Sequence, residues 1–523
     1  MDAQDFNRSY LPTLSAAFER YGDDPCLCFQ GETFTYRQVG DLSAQVANQL
    51  IAGGFRVGMK GAVYSLNSAL SFIATLGIVR AGGVWLPINP RNSEQDNVAI
   101  LERFGVDVLF FQEAFEGPVA GFIDGGAELV CLDASLPGYE HFGAWLKDAG
   151  TAAPGVDAAP TDLLCIPLTG GTTGLPKGGM LSHRNFCALE YGTRAMYAGR
   201  RAVVLCAAPM THVGGRIALC GLSSGTRYVI LDAVDPQLVL NTIQEEKVTD
   251  TFLPPTGVYA LLEQPDLDEY DLSSLLNFSY GSAPMSTERL KEALRRIGPV
   301  MRGGFGQTEC PMFIARLQPS EHFVNGELGG ELASDERLRS VGRHTIISEL
   351  GILDDEGREL PPGQRGEIAV KGPMVSEGYY EAPEETAKIR VNGWHLTGDV
   401  GYLDEEGYLF VVDRKKDMII TGGFNVYSVE VEQALMQLPG VQLAVVFGVP
   451  DEKWGEAVAA EVKLEPDVVL DEADLIKAAK QALGGVKAPK HVRFVDDFPR
   501  TPVGKIDKKV LRDRAWADTG RAI

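Results

Sequence analysis

Between about Thr35 and Ile230 the chain alternates two patterns, and this alternation restricts its fold more than any other feature. Helical stretches such as "RQVGDLSAQVANQLIAGG" (37–54) are interleaved with short apolar runs, "GAVYSL" (61–66), "VDVLFF" (106–111) and "RAVVLC" (201–206). Apolar residues at helical spacing followed by brief continuous runs predict parallel strands covered by helices. A second set, "RYVILD" (227–232), "TDTFLPP" (249–255) and "LLNFSYGSAP" (275–284), repeats the theme. The expectation is an α/β protein with two doubly wound sheets packed together. With 523 residues the chain exceeds one ordinary core and predicts two or more domains.

From about Val341 the texture changes to short β-rich pieces broken by Gly and Pro, "ISELGILDDEGRELPPGQRGEIAVKG" (347–372) and "GWHLTGDVGYLDEEGYLFVVDR" (393–414). Acidic-Glu-Gly turns at Asp355–Gly357 and Glu405–Gly407 separate these pieces, so residues from about 335 to 413 are expected to form a small antiparallel or barrel-like subdomain. After "DRKKD" (413–417) comes a compact α+β pattern with "SVEVEQALMQL", "VQLAVVFGVP", "EAVAAEVKL" and "EADLIKAAKQAL". We place the domain boundary there, giving a large domain over 1–413 and a small mobile one over 414–523. A solvated β-turn is the other reading of the charged stretch.

The formal charge of −23 argues against a nucleic-acid or anionic-membrane surface, both of which need basic stripes. A polyanionic ligand must then be met by local devices: backbone N–H groups and a few placed cations. "LTGGTTGLPKGGMLSH" (168–183) is such a device, with seven Gly or Thr residues among its first eleven and Lys177 behind a proline. It lies between the apolar run "LLCIPL" and a helix start at "SHRNFCALEYG". It is not a Walker A loop, since Lys177 follows Pro176 and precedes Gly178. Nor is "GFGQTE" (304–309) a dinucleotide fingerprint, since it ends in Glu309. On the loop alone, a surface loop without a ligand stays open.

Eight cysteines run from Cys26 to Cys310 without a CxxC pair, which fits neither a disulfide framework nor a zinc site. "MDAQDFNRSYL" lacks a basic segment followed by an apolar run, and the longest apolar stretch, "LSFIATLGIV" (70–79), is too short to span a bilayer. The expectation is a reduced, cytoplasmic environment with no stable membrane insertion, and an oligomer is compatible with it.

Six stretches in order carry a resemblance: the loop at 168–183, "GSAP" (281–284), "GFGQTE" (304–309), "LTGD" (396–399), "VDRKKDMIITGG" (412–423) and "PRTPVGKIDKK" (499–509). Together they resemble the core motifs of the acyl- and aryl-CoA synthetases, nonribosomal adenylation domains and firefly-type luciferases, the adenylate-forming superfamily. The resemblance spans nearly the whole chain. It implies that a carboxylic acid attacks the α-phosphate of ATP, releasing pyrophosphate and leaving an acyl-adenylate that a thiol, coenzyme A in the ligases, then captures. Loading of a carrier protein and luciferase-like oxidation are the alternatives it carries.

Residue by residue, the resemblance implies that Thr169, Gly170, Gly171, Thr172, Thr173, Gly174 and Lys177 hold the β- and γ-phosphates. Gly281, Ser282, Ala283 and Pro284, with Gly304, Phe305, Gly306 and Gln307, complete the ATP site. Phe305 replaces a usual tyrosine, keeping an aromatic face for adenine and losing the hydroxyl. Thr308 touches the α-phosphate, Glu309 helps hold Mg²⁺, and Asp399 binds the ribose hydroxyls with Arg414 assisting. Lys505 matches the adenylation lysine, a flexible cation between carboxylate and α-phosphate. His212 gates the carboxylate, with Val213, Gly214, Gly215, Ser282 and Gly304 as walls of an acyl pocket whose small residues suit an aryl, alicyclic or longer alkyl acid. Arg216 beside them is a candidate partner for a second carboxylate, with an internal ion pair as the other reading. Lys416 stands at the pivot, and Gly422 and Gly423 lie on the path of the CoA pantetheine arm. The pocket stretch "PMTHVGGRIALCG" (209–221) has no acidic residue for the amino group of an amino acid, which argues against an amino-acid-activating domain.

Overall fold

The computed structural model describes residues 6–122, 126–169, 176–451, 453–466, 468–501 and 506–516. Both expected sheets form. A nine-stranded sheet has the order 343–344, 315–317, 301–305, 277–281, 250–253, 203–206, 227–230, 25–29, 32–35. Its strands are parallel from Met301–Phe305 through Pro25–Phe29, with antiparallel partners added at both edges. A seven-stranded sheet has the order 140–141, 128–131, 108–111, 60–64, 84–88, 163–165, 181–182, parallel except for its last pair.

The largest core lies between these sheets. The helix Ala69–Arg80, which contains the longest apolar run, is buried on every side there, which is why it shows no polar face. Helix starts are set locally: Thr35 and Gln38 form a capping box before Tyr36–Ala52, as do Ser68 and Ser71 before Ala69–Arg80. The outer face of the nine-stranded sheet buries Leu253, Phe278, Tyr280 and Met301 under three helices, Pro236–Glu245, Pro255–Leu262 and Thr287–Arg296. All eight cysteines are buried and free. Among the described residues no helix is long and apolar enough to cross a membrane.

The β-rich stretch forms a five-stranded antiparallel sheet in which the long strand Trp394–Leu403 pairs with three others. It branches rather than closing into the expected barrel-like form among the described residues, because both ends of Trp394–Leu403 recruit separate partners. From Ile419 a further five-stranded sheet with the helices Ser428–Met436 and Glu472–Lys487 makes the smaller α+β unit. Asp413 links the two β systems. Buried at the end of Leu409–Arg414, its carboxylate accepts from the Ser428 backbone N–H and, at 3.1 Å, from the Ser428 hydroxyl. Lys508 Nζ reaches the same hydroxyl at 2.6 Å and Glu432 Oε1 at 2.7 Å.

Candidate active site

In an open parallel sheet, ligands bind beyond the carboxyl ends of the strands, and the motif residues gather at such ends. Gly281 and Gly304 close the adjacent strands Asn277–Gly281 and Met301–Phe305 and face each other in register. A Cβ on Gly281 would lie 2.3 Å from the Gly304 carbonyl oxygen, so no side chain fits. The chain then turns through Ser282 at φ 69° and leaves Ser282, Ala283 and Pro284 exposed. After Phe305, half-buried, a Cβ on Gly306 would meet the Met312 nitrogen at 2.7 Å. Reciprocal bonds between the backbones of Gln307 and Cys310 fold this loop tightly and set Thr308 and Glu309 at its tip.

The stem of the Gly- and Thr-rich loop is closed by the Thr169 N–H donating to the Lys177 carbonyl at 2.8 Å and by a bridge between Leu168 and Gly178. Gly170, Gly171, Thr172, Thr173 and Gly174 lie outside the described residues. Gly179 pairs with Tyr379, and a Cβ on Gly179 would stand 3.5 Å from Thr308 Cγ2, so the stem runs beside the Thr308–Glu309 tip. Lys177 Nζ pairs with Glu385 Oε2 at 2.5 Å and sits 5.1 Å from the centre of the Tyr379 ring. The Tyr379 hydroxyl donates to Glu309 Oε1 at 2.5 Å, and the Glu309 side chain belongs to a residue only 8% exposed. Lysine, tyrosine and carboxylate thus form one chain of contacts. Hydrogen bonds from Lys177, first, and Lys388 hold the Glu385 carboxyl down to about 2.

Across the site, Asp399 and Arg414 are register partners on neighbouring strands, with Arg414 Nε 3.7 Å from Asp399 Oδ1. Gln307 fixes the loop to this sheet: its Nε2 donates to the Thr397 carbonyl at 3.2 Å, and its Oε1 lies 3.1 Å from His395 Nε2. Burial, and then the neighbouring Arg390 charge, push the His395 pKa down to about 3, so the ring is neutral. A neutral His395 donating from Nε2 presents Nδ1 to Arg390, which in turn donates to the Ser376 carbonyl at 2.5 Å.

The model for "AMP-binding enzyme" matches residues 14–380, and that for "AMP-binding enzyme C-terminal domain" matches 430–505. The chain belongs to the adenylate-forming AMP-binding enzymes. It is 33% identical to the medium/long-chain-fatty-acid–CoA ligase FadD8 of Mycobacterium tuberculosis (strain ATCC 25618 / H37Rv), covering 98% of this chain and 90% of that protein. It is 32% identical to the fatty acid–[acyl-carrier-protein] ligase ScoC of Streptomyces coeruleorubidus over 99% of this chain and 98% of that one. Among solved structures, the amide bond synthetase McbA from Marinactinospora thermotolerans matches with a TM-score of 0.87 at 30% identity, covering 97% of this chain and 99% of that one. An adenylating ligase activity and the use of ATP follow from this membership.

Other residues expected in this AMP-binding enzyme take less direct positions. His212 stands at a kink (φ −125°, ψ −128°) within the irregular turn Met210–Gly214, half-exposed beside Val213. Gly214 and Gly215 are buried against backbone: a Cβ on Gly214 would lie 2.9 Å from the Ala208 carbonyl oxygen, and one on Gly215 2.1 Å from that of Met210 and 2.8 Å from the Trp85 ring. The turn's own backbone leaves no room for a side chain at Gly214, and the Met210 carbonyl with the Trp85 ring leaves none at Gly215. Arg216 is buried near Cys165 and Cys220, its Nε and Nη1 without a hydrogen-bond partner among the described residues. Gly422 and Gly423 (φ 56° and 83°) make the two-residue turn between Ile419–Thr421 and Phe424–Val426, a geometry that asks for glycine by itself. The Gly423 position is open, and Ile420, Phe424 and Trp454 around the turn are exposed. Lys416 lies within electrostatic reach of Arg414 and Asp399, and its pKa is lowered by burial first and then by Arg414. Lys505 lies outside the described residues.

Tyr379, Glu385, Arg390 and His395 were not singled out by motif. The first two sit in "SEGYYEAPEET" (376–386), which has no phosphate-binding pattern, and backbone pairing of 377–380 with 178–180 brings them to the loop. His395 had a usable signal, its place next to "LTGD".

Proposed function

We propose that the protein activates a carboxylic acid, fatty or aryl/alicyclic, with ATP and transfers the acyl group from the adenylate to coenzyme A, giving acyl-CoA, AMP and pyrophosphate. The observation that carries this reading is the contact chain Lys177–Tyr379–Glu309 at strand ends that also present Thr308 and face the Asp399–Arg414 pair.

The acid's carboxylate is a poor electrophile, and the mixed anhydride with AMP supplies a leaving group. Lys177 exchanges Glu385 for the β- and γ-phosphates, a partially exposed pair that costs little to open. Thr308 donates its hydroxyl to the α-phosphate, and Asp399 accepts from the ribose hydroxyls while Arg414 steadies it. Glu309, a buried carboxylate with one oxygen tied to Tyr379, is the residue that would hold a hard cation, which prefers oxygen ligands. Mg²⁺ bound to Glu309 would neutralise phosphate charge. His212 gates the incoming carboxylate, and Lys505 supplies positive charge between carboxylate and α-phosphate. After adenylation the unit beyond Lys416 turns, and the exposed turn at Gly422–Gly423 borders the pantetheine path.

Transfer to a carrier-protein thiol is the second reading, favoured by the similarity to a fatty acid–[acyl-carrier-protein] ligase. The test is acid-dependent pyrophosphate–ATP exchange across fatty, aryl and dicarboxylic acids, followed by thioester formation with CoA or a loaded carrier protein. Exchange with no acid, or formation of ADP, overturns the ligase reading; exchange without CoA thioester selects the carrier.

A further inference from the structure

The face of the nine-stranded sheet that looks towards the other sheet is set by the pleat. Register pairs place Phe252 beside Ser279, Ser279 beside Arg302, and Gly304 beside Arg316. Phe252, Ser279, Gly304 and Arg316 all keep partial exposure although their strands lie inside the sheet, so this face is incompletely covered just below Gly281 and Gly304. The alternate residues go to the helix-covered core.

Arg302 is only 7% exposed, and among the described residues its Nε and Nη1 have no hydrogen-bond partner; nor does Nε of Arg316. Arg316 is otherwise held by the Met312 carbonyl at 3.2 Å and by the Phe313 ring at 4.7 Å. The two guanidinium groups are near enough to repel, and both lie near Tyr197. Burial pushes their pKa values down to about 10 and about 9, which leaves both charged at neutral pH.

The one carboxylate acting on Arg302 among the described residues, Asp250, is already engaged. Arg200 holds both its oxygens at 2.6 and 2.7 Å, and Thr249 and Asn277 add bonds at 2.7 and 2.9 Å. Arg200 and Arg302 therefore share one carboxylate in a buried place, and among the described residues no carboxylate acts on Arg316. Unpaired buried cations are expensive, and an incompletely covered face beside them gives an anion room to enter.

We propose that Arg302 and Arg316 form a subsite for a second carboxylate on the acid, so that the substrate is a dicarboxylic acid. The reacting carboxylate lies at the Thr308 and His212 end, and Arg302 is two residues down its strand from Gly304, roughly 7 Å away at strand rise. The far carboxylate is thus held at about that depth or more, by planar forks that match it. This inference rests on the acid-activating reading above.

The test is pyrophosphate–ATP exchange with matched monocarboxylic and α,ω-dicarboxylic acids, aliphatic and aryl, of increasing length, on wild type and on Arg302→Met, Arg302→Lys and Arg316→Met. For at least one length the diacid is expected to exceed its monoacid about tenfold or more in kcat/KM. Arg302→Met is expected to lose diacid activity by about 10²-fold, the effect of truncating a buried charge partner, and to keep or gain monoacid activity. It is also expected to melt no lower than wild type, since the orphaned charge is gone. If Arg302→Met does not fold, Arg302→Lys decides by raising KM for the diacid alone. Wild-type preference for monoacids at every length overturns the inference and leaves the ligase reading standing. So does equal loss of both acid classes, or a preference moved by Arg216→Met and not by Arg302→Met. Exchange with no acid of either class removes both.

Discussion

Replacing Tyr379 by Phe isolates the hydroxyl that links the phosphate lysine to the buried carboxylate. The ring stays, so Lys177 keeps its 5.1 Å position over an aromatic face, while Glu309 Oε1 loses its 2.5 Å donor. A hydrogen bond to an ionised group contributes about 1.5–3 kcal/mol. At about 1.4 kcal/mol per decade, that converts to a loss of about 10- to 150-fold in kcat/KM for pyrophosphate–ATP exchange. The loss should be greatest at low Mg²⁺ and shrink as Mg²⁺ rises, because the untied carboxylate is mis-set for the cation rather than removed. Tyr379→Leu also strips the ring from beneath Lys177 and should cost about a further twofold to fivefold, the scale of an exposed cation–π contact. The assay is exchange at fixed acid over a grid of ATP and Mg²⁺, with thermal melts to confirm folding. Exchange by Tyr379→Phe within twofold of wild type across the whole Mg²⁺ range would refute the argument that Tyr379 positions Glu309.

Three other outcomes are expected. Lys505→Ala should cut adenylation by about 10²–10⁴-fold and spare thioester formation from supplied acyl-adenylate, whereas Gly423→Leu should do the reverse; damage to the same half-reaction by both contradicts the two-conformation mechanism. Gly281→Ala should lower the melting temperature and abolish exchange, because its Cβ would sit 2.3 Å from the Gly304 carbonyl oxygen; a stable, active variant shows that the two strands can part. His183, His322 and His395 are buried with pKa values held down to about 4, 4 and 3, chiefly by burial. Since the unfolded residues protonate near pH 6.5, stability should be full above that value. It should fall by about 2 kcal/mol per histidine between pH 7 and pH 5 and decline further towards pH 4; a flat denaturation profile from pH 7 to pH 5 refutes this.

The sheets were legible because each element carries its own period: the short apolar runs at 61–66, 106–111, 201–206, 227–232, 249–255 and 275–284 each fall on an observed strand. Asp399 and Arg414 were legible for a similar reason, since each sits in a motif and the two meet across neighbouring strands. Tyr379 and Glu385 were not, because their role exists only once the chain has brought them to Lys177. Gly214 and Gly215 illustrate a different limit. Small residues read equally well as room for a ligand or as room for backbone, and here the backbone of Ala208 and Pro209 adjoins Gly214 while Met210 and Trp85 adjoin Gly215. Likewise, Gly422 and Gly423 suit a pantetheine path, but the hairpin turn alone already requires them. Arg302 and Arg316 belong together only through strand register, which no local pattern encodes.

The buried cluster of Asp413, Ser428, Glu432 and Lys508 bears on how this chain can be divided. A cut after Asp413 would strand its carboxylate at the end of one fragment and leave the other with a Ser428 N–H that has lost its acceptor and a Lys508 ammonium that has lost one of the carboxylates acting on it. A cut before Leu409 would instead strip the strand Leu409–Arg414 from Trp394–Leu403 and expose that strand's edge. Neither fragment pair is a clean excision. Co-expressed halves split at this point should find each other, because each carries half of a charge cluster that is satisfied only when they meet. The small unit produced alone should instead depend on neutralising that cluster, for instance by Lys508→Met together with Glu432→Gln.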